Sequence, residues 1–446
     1  MKILLITYYY KHKNAMASVR AIKLAKYFAK QGHEVSVLTS NQIDTWTKNY
    51  LEPQKDDQIA EYYAPQVKRW SFIQKYLAKR KQKGVARMEA ASQTSSVKVA
   101  PQAASKKSFK ARAKGYLSWL FYFTVAKQED ICMFKGLKKE CKNNVKEKFD
   151  VVIATYPTYG AFLMGSWLKK HGKCKQFIAD FRDPLYNPGF RNKEAEAKYD
   201  KKCLKNVVKY ADKIVCVSKG IADGIIEQYP KIEKPISIIT NGFDRDDVLD
   251  SNIPMNFDQA KINFVYAGAL YHGKRCVNML AEILNELIEN GTVDKNSFAF
   301  HYAGSDYGEL TAQLQEYGLE GTAVDHGFVS RTESISMQKQ ASALLLLTWN
   351  EASYQGVIPG KLFEYMSVNV PIIALITGDV ANSEVAQMIR SVGAGCAAEE
   401  AVPEDKNRLK EYVIKLLKRE VVLNGKAELY NYENISKEYI EFIKEN

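Results

Sequence analysis

Long uncharged apolar runs are absent from this chain of 446 residues. A membrane-spanning helix needs about 20 consecutive apolar residues, so the sequence predicts no transmembrane segment. The apolar run in MKILLITYYYKHK is also shorter than the core that a secretory signal peptide requires. We therefore expect a cytoplasmic protein, or one that binds peripherally to the inner face of the cell membrane.

Metal-binding and disulfide patterns are also absent. The seven cysteines are odd in number and widely spaced, with no CxxC pair, which argues against a disulfide framework and against a zinc site. None of the six histidines pairs at ligand spacing. Asp244 and Asp246 form a D-x-D, but they follow TNG at an expected interdomain turn, which favours a structural role. The sequence therefore predicts no metal and no cofactor.

Acidic residues are scarcer than basic ones. The chain has 51 Asp and Glu against 64 Lys and Arg, a net charge of +13, which suggests an anionic partner. Fourteen of the basic residues and one acid, Glu89, lie between Lys68 and Lys114, and the aromatic-rich GYLSWLFYFTV follows. A solvated loop and a membrane-surface segment both explain this stretch. Nucleic acid explains it less well, because the aromatics are clustered rather than interleaved with the cations.

Strand and helix patterns alternate along the rest of the chain. KILLIT and EVSVLTS predict buried strands, and a helical apolar spacing from Ala21 to Phe28 lies between them. This βαβ unit implies a parallel sheet, and a second series of such units begins at KINFVYAGAL. The fold prediction is therefore α/β, with two doubly wound parallel-sheet domains. The expected limits are residues 1–242 with an insertion at about 68–125, residues 243–425, and a C-terminal helix at 426–446 that returns to the first domain.

The first strand-to-helix turn, TYYYKHKNAMASVR, contains no glycine. The GxGxxG fingerprint of dinucleotide binding is therefore missing, and an NAD-binding first domain is not expected. Asn14 and Ser18 are small, so a ligand could still approach the helix N-terminus closely, and Arg20 lies in the first turn of the helix.

The second domain begins with a different turn, YAGALYHGKR. A strand, a turn of small residues and the cations Lys274 and Arg275 together resemble an anion cradle. A surface turn with two solvated cations is the alternative that this motif leaves open.

The segment IPGKLFEYMSVNVPIIAL places Lys361 and Glu364 three residues apart, on one face of a helix that we expect to begin with Pro359 at its first position. A capping box would require Ser or Thr where Lys361 stands. A diphosphate suits Lys361 and the helix N-terminus, and the Glu364 carboxylate suits the hydroxyls of a ribose. The pair therefore indicates a nucleoside diphosphate ligand.

Six segments resemble, in order and spacing, glycosyltransferase family 4 enzymes of the GT-B fold. They are RAIKLAKYFAKQGHEVSVLTS, ADKIVCVSKGIADGI, IITNGFD, YAGALYHGKR, HGFVSRTESISMQKQASALLLL and GKLFEYMSVNVPIIAL. The resemblance implies that Lys274 binds the diphosphate of a nucleotide sugar, that Glu364 is the second glutamate of an E-x7-E motif and holds the ribose, and that Val329 contacts the base. Gly360 and Lys361 stand at the N-terminus of the same helix.

This sequence departs from the family pattern at three places. The first glutamate of E-x7-E falls at Gly356, and the usual arginine after the strand glycine falls at Ala269, where Arg275 can substitute. Arg182 and Asp183 replace a more common His-Asp pair, a variant associated with the branch that makes bacterial cell-surface polysaccharides.

The resemblance implies a retaining, metal-independent glycosyltransferase. We expect it to move a sugar from a nucleoside diphosphate sugar to an acceptor held by the N-terminal domain, with a lipid-linked saccharide as the expected acceptor. A nucleotide-sugar epimerase or hydrolase on the same fold and a non-catalytic, membrane-associated binding protein remain as alternatives. The expected catalytic side chains are Lys274, Arg275, Arg182 and Asp183, and the acceptor-side residues are Asn14, Ser18 and Arg20.

Overall fold

The computed structural model describes residues 1–11, 16–41, 58–67, 130–183, 194–249, 251–352, 355–423 and 425–445. The basic stretch at 68–125 and Asn14 lie outside these ranges. The chain forms two compact units: one comprises Met1–Ala25, Ala29–Val215 and Ile225–Pro235, and the other comprises Lys26–Phe28, Cys216–Gly224 and Ile236–Asn446. These units differ from the predicted domain limits, which stay predictions.

The first sheet has seven strands in the order β3-β2-β1-β4-β5-β6-β7, and its pairs β1·β2, β2·β3, β1·β4 and β4·β5 are parallel. The strands are β1 (Lys2–Thr7), β2 (Glu34–Ser40), β3 (Ile59–Ala64), β4 (Phe149–Tyr156), β5 (Cys174–Phe181), β6 (Lys213–Cys216) and β7 (Ile236–Ile238). The helices of this part of the chain are α1 (Met16–Lys30), α2 (residues 130–144), α3 (Tyr159–Lys170), α4 (Glu194–Tyr210) and α5 (Lys219–Gln228).

The second sheet has six strands in the order β10-β9-β8-β11-β12-β13, and all its pairs are parallel. The strands are β8 (Ile262–Ala267), β9 (Phe298–Ala303), β10 (Ala323–Asp325), β11 (Ala343–Trp349), β12 (Ile372–Thr377) and β13 (Gly395–Glu399). The helices are α6 (Asn278–Glu289), α7 (Tyr307–Gln315), α8 (Arg331–Gln340), α9 (Gly360–Val368), α10 (Glu384–Val392), α11 (Glu404–Leu417) and α12 (Tyr432–Lys444).

The run of leucines in β11 shows why these strands form a covered parallel sheet. Leu345 and Leu347 belong to one hydrophobic cluster, while Leu344 and Leu346 belong to another. Successive side chains of a strand point to opposite faces, so a strand buried on both faces is apolar throughout rather than alternating. The continuous apolar runs that predict these strands are therefore a consequence of helices packing on both faces.

Each sheet has a point at which the strand order reverses. In the first sheet it lies between β1 and β4, and in the second between β8 and β11. The connections on either side of such a point lead to opposite faces of the sheet, which opens a crevice at the carboxyl ends of the strands. The predicted pair of doubly wound parallel sheets is thus confirmed. No helix among the described residues is long and apolar enough to cross a membrane.

Candidate functional site

The turn after β8 lies at the reversal point of the second sheet. It begins at Gly268, whose φ of +145° lies in a region that L side chains rarely adopt, and a Cβ there would collide with the Lys361 ammonium. The backbone conformation therefore favours glycine here, and the missing Cβ leaves room for the Lys361 ammonium.

Side chains from the end of β9 and from the loop after it hold this turn. The Tyr302 hydroxyl donates to the Gly268 carbonyl at 2.8 Å and accepts from the Asp306 amide at 2.9 Å. The Asp306 carboxylate in turn accepts from the Leu270 amide at 2.8 Å. The turn is thus fixed by hydrogen bonds on both sides of Ala269, so the residues that follow it start from a defined position.

Lys274 and Arg275 follow this turn and have different surroundings. The Lys274 side chain is 51% exposed, and its Nζ lies 3.1 and 3.3 Å from the two carboxylate oxygens of Glu351. Arg275 donates from Nη1 to the Ala269 carbonyl at 3.1 Å and lies over the Tyr271 ring, 4.5 Å from its centroid. Lys274 therefore pairs with a partly exposed carboxylate, whereas Arg275 is hydrogen-bonded to the turn itself.

Lys361 reaches the same turn from the first helical turn of α9, which begins one residue later than predicted because Pro359 is the N-cap. Its half-buried ammonium donates to the Ala267 carbonyl. Burial, with the nearby charge of Arg275 as a smaller cause, lowers the pKa of Lys361 to about 8. Its positive charge is therefore balanced by a backbone dipole, and an anion would stabilise it further.

Glu364 lies one turn further along α9, where its carboxylate accepts from the Gln338 amide at 2.7 Å. Gln338 is a buried residue of α8 that the sequence patterns do not single out. Val329 is half-buried just before Ser330, the N-cap of α8. The residues expected to hold ribose and base thus lie on α9 and just before α8, in one compact unit.

Gly356, at the place of the missing glutamate, has a φ of +79°. A Cβ there would lie 2.6 Å from the Ile221 amide nitrogen and 2.8 Å from the Gly220 carbonyl carbon, inside the same compact unit. The Ser218 hydroxyl also donates to the Gly356 carbonyl at 2.6 Å. A glutamate does not fit at this position without moving backbone, so the departure from the family pattern has a steric reason.

The site residues predicted in the first unit have other partners. Arg20 is 2% exposed, and its Nε and Nη2 lie 3.0 and 2.8 Å from the two oxygens of Asp180 in β5. The burial of Arg20 does not support direct contact with an acceptor, and that contact stays a prediction. Ser18 is also buried, and Arg182 donates to the Ala17 carbonyl.

Asp183 differs from its neighbours because its side chain is 56% exposed, with one oxygen 3.8 Å from the Arg182 guanidinium. It is therefore available to a ligand at the carboxyl end of β5. The catalytic role predicted for Arg182 and Asp183 remains a prediction.

The D-x-D of Asp244 and Asp246 is occupied by a cation from the chain itself. Lys26 Nζ lies 2.7 Å from a carboxylate oxygen of each, and the Tyr27 hydroxyl donates to Asp244 at 2.9 Å, within the second unit. Burial opposes protonation of Lys26, but these hydrogen bonds outweigh it and raise its pKa. Among the described residues, no group of three or more His, Cys, Asp or Glu could hold a metal ion.

The comparisons with known proteins agree with this architecture. The sequence profile of Glycosyltransferase Family 4 matches residues 116–247, while no curated protein sequence matches the chain. A solved lipopolysaccharide outer core galactosyltransferase, WaaB in its apo form, is 17% identical with a TM-score of 0.54, over 99% of this chain and 99% of that one.

Two further solved structures are similar to this chain. Sucrose-phosphate synthase from Thermosynechococcus elongatus is 13% identical with a TM-score of 0.55, over 99% of this chain and 98% of that one. HepE from Anabaena, solved with UDP and glucose, is 12% identical with a TM-score of 0.52, over 99% of both chains. At identities this low, the similarity to these structures shows the fold alone. The family match over residues 116–247 agrees with the predicted resemblance, and the shared two-sheet architecture confirms the predicted GT-B fold.

Proposed function

We propose that this protein transfers a sugar from a nucleoside diphosphate sugar to an acceptor, with retention at the anomeric carbon and without a metal ion. The observation that carries the proposal is the cationic turn after β8, where Lys361 binds the Ala267 carbonyl, Arg275 binds the Ala269 carbonyl, and Lys274 is adjacent. A leaving diphosphate carries developing negative charge, and fixed cations at that place lower the barrier to its departure.

On binding, the phosphates of the donor would replace the backbone and carboxylate contacts that these cations make. Lys361 would leave the Ala267 carbonyl for a phosphate oxygen, next to the amide groups at the N-terminus of α9 around Gly360. Glu364, oriented by Gln338, would accept hydrogen bonds from the ribose, and the backbone at Val329 would contact the base. HepE was solved with UDP, which makes uracil the first base to test.

The same cations support the proposal of metal independence, because three of them near one turn can neutralise a diphosphate in the way that a divalent ion otherwise does. Activity should therefore survive EDTA. A complete loss that only Mn²⁺ restores would contradict this part of the proposal.

A thermal-shift screen tests donor binding. We expect the melting temperature of the full chain to rise with one nucleoside diphosphate series among UDP, GDP, ADP and dTDP, because a ligand that binds only the folded state stabilises it. Product analysis with and without acceptor then separates a transferase from an epimerase or hydrolase, and the anomeric configuration of the product tests retention. If no nucleotide shifts the melting temperature, the donor-site assignment is wrong.

We also propose a lipid-linked saccharide acceptor in surface polysaccharide synthesis, reached at the cytoplasmic face of the membrane. The support is the charge of the stretch at 68–125, with fourteen basic residues and one acid before an aromatic cluster. Each cation contributes about 1 kcal/mol near an anionic leaflet, and this part weakens with salt. Acceptor contacts are assigned to Asp183 with Arg182, and to the turn around Asn14.

Sedimentation with anionic liposomes tests the membrane proposal. The intact protein should pellet at low salt, and a variant lacking residues 68–114 should stay in the supernatant. The matched control is neutral liposomes, which should pellet neither protein. Equal pelleting of both proteins, or none by either, would remove the main support for a lipid acceptor.

A further inference from the structure

We propose that Glu351 binds hydroxyl groups of the transferred sugar and so determines which sugar the protein accepts. The inference rests on the proposed function, because it concerns the sugar attached to the diphosphate at the same site. Glu351 lies two residues after the end of β11, at the carboxyl edge where the second sheet reverses its strand order, and its carboxylate contacts Lys274.

The backbone around Glu351 is fixed from both sides. The Gln355 amide donates to the Glu351 carbonyl at 2.7 Å and to the Asn350 side-chain oxygen at 3.0 Å. Asn350 is buried and donates to the Val380 carbonyl at 2.7 Å. These bonds hold the main chain in place while the Glu351 side chain, 36% exposed, stays accessible to a ligand. A carboxylate on a rigid backbone is suited to selective recognition.

Gly356, the nearby position where the family pattern places a glutamate, has no room for a side chain. Gly356 has a positive φ, and a side chain there would collide with the backbone of Gly220 and Ile221. Glu351 is therefore the carboxylate that this segment of the chain brings to Lys274.

Diphosphate binding changes the surroundings of Glu351. Lys274 is its ion-pair partner, and a phosphate that engages Lys274 takes a share of that positive charge. A carboxylate beside a phosphate is unfavourable unless hydrogen-bond donors reach it. The hydroxyls of the sugar joined to that phosphate are such donors, and a carboxylate accepts two of them at once when they are vicinal.

Aromatic side chains border the same place. The Trp349 ring lies 5.4 Å from Lys274 Nζ, and its centroid is 5.9 Å from that of Tyr271, which is 53% exposed. Sugars present apolar C–H faces as well as hydroxyls, and binding sites pair apolar walls with a few polar groups. Tyr271 and Trp349 supply the wall, and Glu351 supplies the polar group.

The test compares Glu351→Gln with the wild-type protein and with Glu286→Gln. Glu286 is a matched control because its side chain is 37% exposed and pairs with Lys406 and Lys410 away from this turn. The probes are the nucleoside diphosphate that gives the largest thermal shift with the wild-type protein and the hexose conjugates of that nucleotide. Calorimetry gives Kd for both kinds of ligand in each protein.

In Glu351→Gln we expect the ratio of the Kd of the sugar conjugate to the Kd of the free diphosphate to rise about tenfold or more, because hydrogen bonds to a charged group are lost. Affinity for the free diphosphate should stay the same or increase, since Lys274 is released. Discrimination between hexose epimers should weaken. Glu286→Gln should match the wild-type protein in every measurement.

An unchanged ratio would overturn the inference. If both Kd values change by the same factor, Glu351 acts only as a counterion of Lys274. Failure of the wild-type protein to bind any nucleotide is a different result, since it contradicts the proposed function itself. If Glu351→Gln does not fold, Glu351→Asp retains the charge, and the displaced carboxylate should still raise the ratio.

Discussion

The carboxyl edges of the two sheets hold their cations in opposite ways. At the first edge, Arg20 is almost fully buried and binds both oxygens of Asp180. At the second edge, Lys361 donates to a backbone carbonyl, and Lys274 pairs with a half-exposed glutamate. The two edges have the same place in their folds, after the first strand of each doubly wound sheet and across the reversal point.

The partners of the cations distinguish a charge that stabilises the fold from a charge that a ligand can reach. A buried bidentate pair is neutral as a whole, and removing one partner leaves an uncompensated charge in the interior. A carbonyl dipole balances only part of the full charge of Lys361, so this cation can gain further stabilisation from an anionic ligand. We therefore expect substitutions at the first edge to change stability and substitutions at the second edge to change binding.

The largest effect is expected for Arg20→Met, which leaves Asp180 buried and unpaired. The free energy of unfolding should fall by about 3–5 kcal/mol, while the folded fraction keeps its nucleotide affinity. Urea denaturation measures the first quantity and calorimetry the second. The double variant Arg20→Met with Asp180→Leu should recover most of the loss. Weaker nucleotide binding with unchanged stability would contradict the structural role that we assign to Arg20.

Lys361→Met should produce the opposite pattern. Loss of a charge-assisted contact to the diphosphate should weaken nucleotide binding by about 3 kcal/mol. Stability should be retained or increase, because a desolvated ammonium is removed. The control is Lys406→Met on α11, which pairs with Glu282 and Glu286 and should leave binding unchanged. Normal affinity in Lys361→Met would show that this lysine does not reach the phosphate.

Lys274→Ala and Glu364→Ala each remove one charged partner of the donor, and each should weaken nucleotide binding by about 2 kcal/mol. Circular dichroism should show that both variants keep the fold. Calorimetry that finds wild-type affinity in both folded variants would reject the donor site at this edge.

The smallest effect is a pH dependence of the wild-type protein. Burial, with the nearby charge of Arg275 as a smaller cause, lowers the pKa of Lys361 to about 8. The protonated form is the one that we propose to bind the diphosphate. Nucleotide affinity should therefore be highest below pH 8 and should fall as the pH rises through that value, by about tenfold between pH 7 and pH 9. Lys361→Arg remains protonated, so its affinity should vary less over this range. An equal dependence of nucleotide affinity on pH in the two proteins would contradict the role of Lys361.

Much of the donor edge is predictable because its signals are local. Lys274 and Arg275 follow a strand and a turn, and Lys361 and Glu364 stand three residues apart on one helix, so spacing alone suggests their chemistry. Tyr302, Asp306 and Gln338 carry no such signal, because each acts on a residue of another β-α unit. Their roles depend on strand order, which periodicity does not specify.

By itself the sequence determined the two series of strands and helices, the parallel character of the sheets and the cationic segments of the second unit. These features rest on periodicity and on short-range spacing, which act within one or two elements. Tertiary structure decided which charges remain available. Arg20 meets Asp180 across 160 residues, Lys26 meets Asp244 across 218, and Lys274 meets Glu351 across 77. Only the folded chain brings such partners within hydrogen-bonding distance, and a charge is structural or functional according to the partner that it finds there.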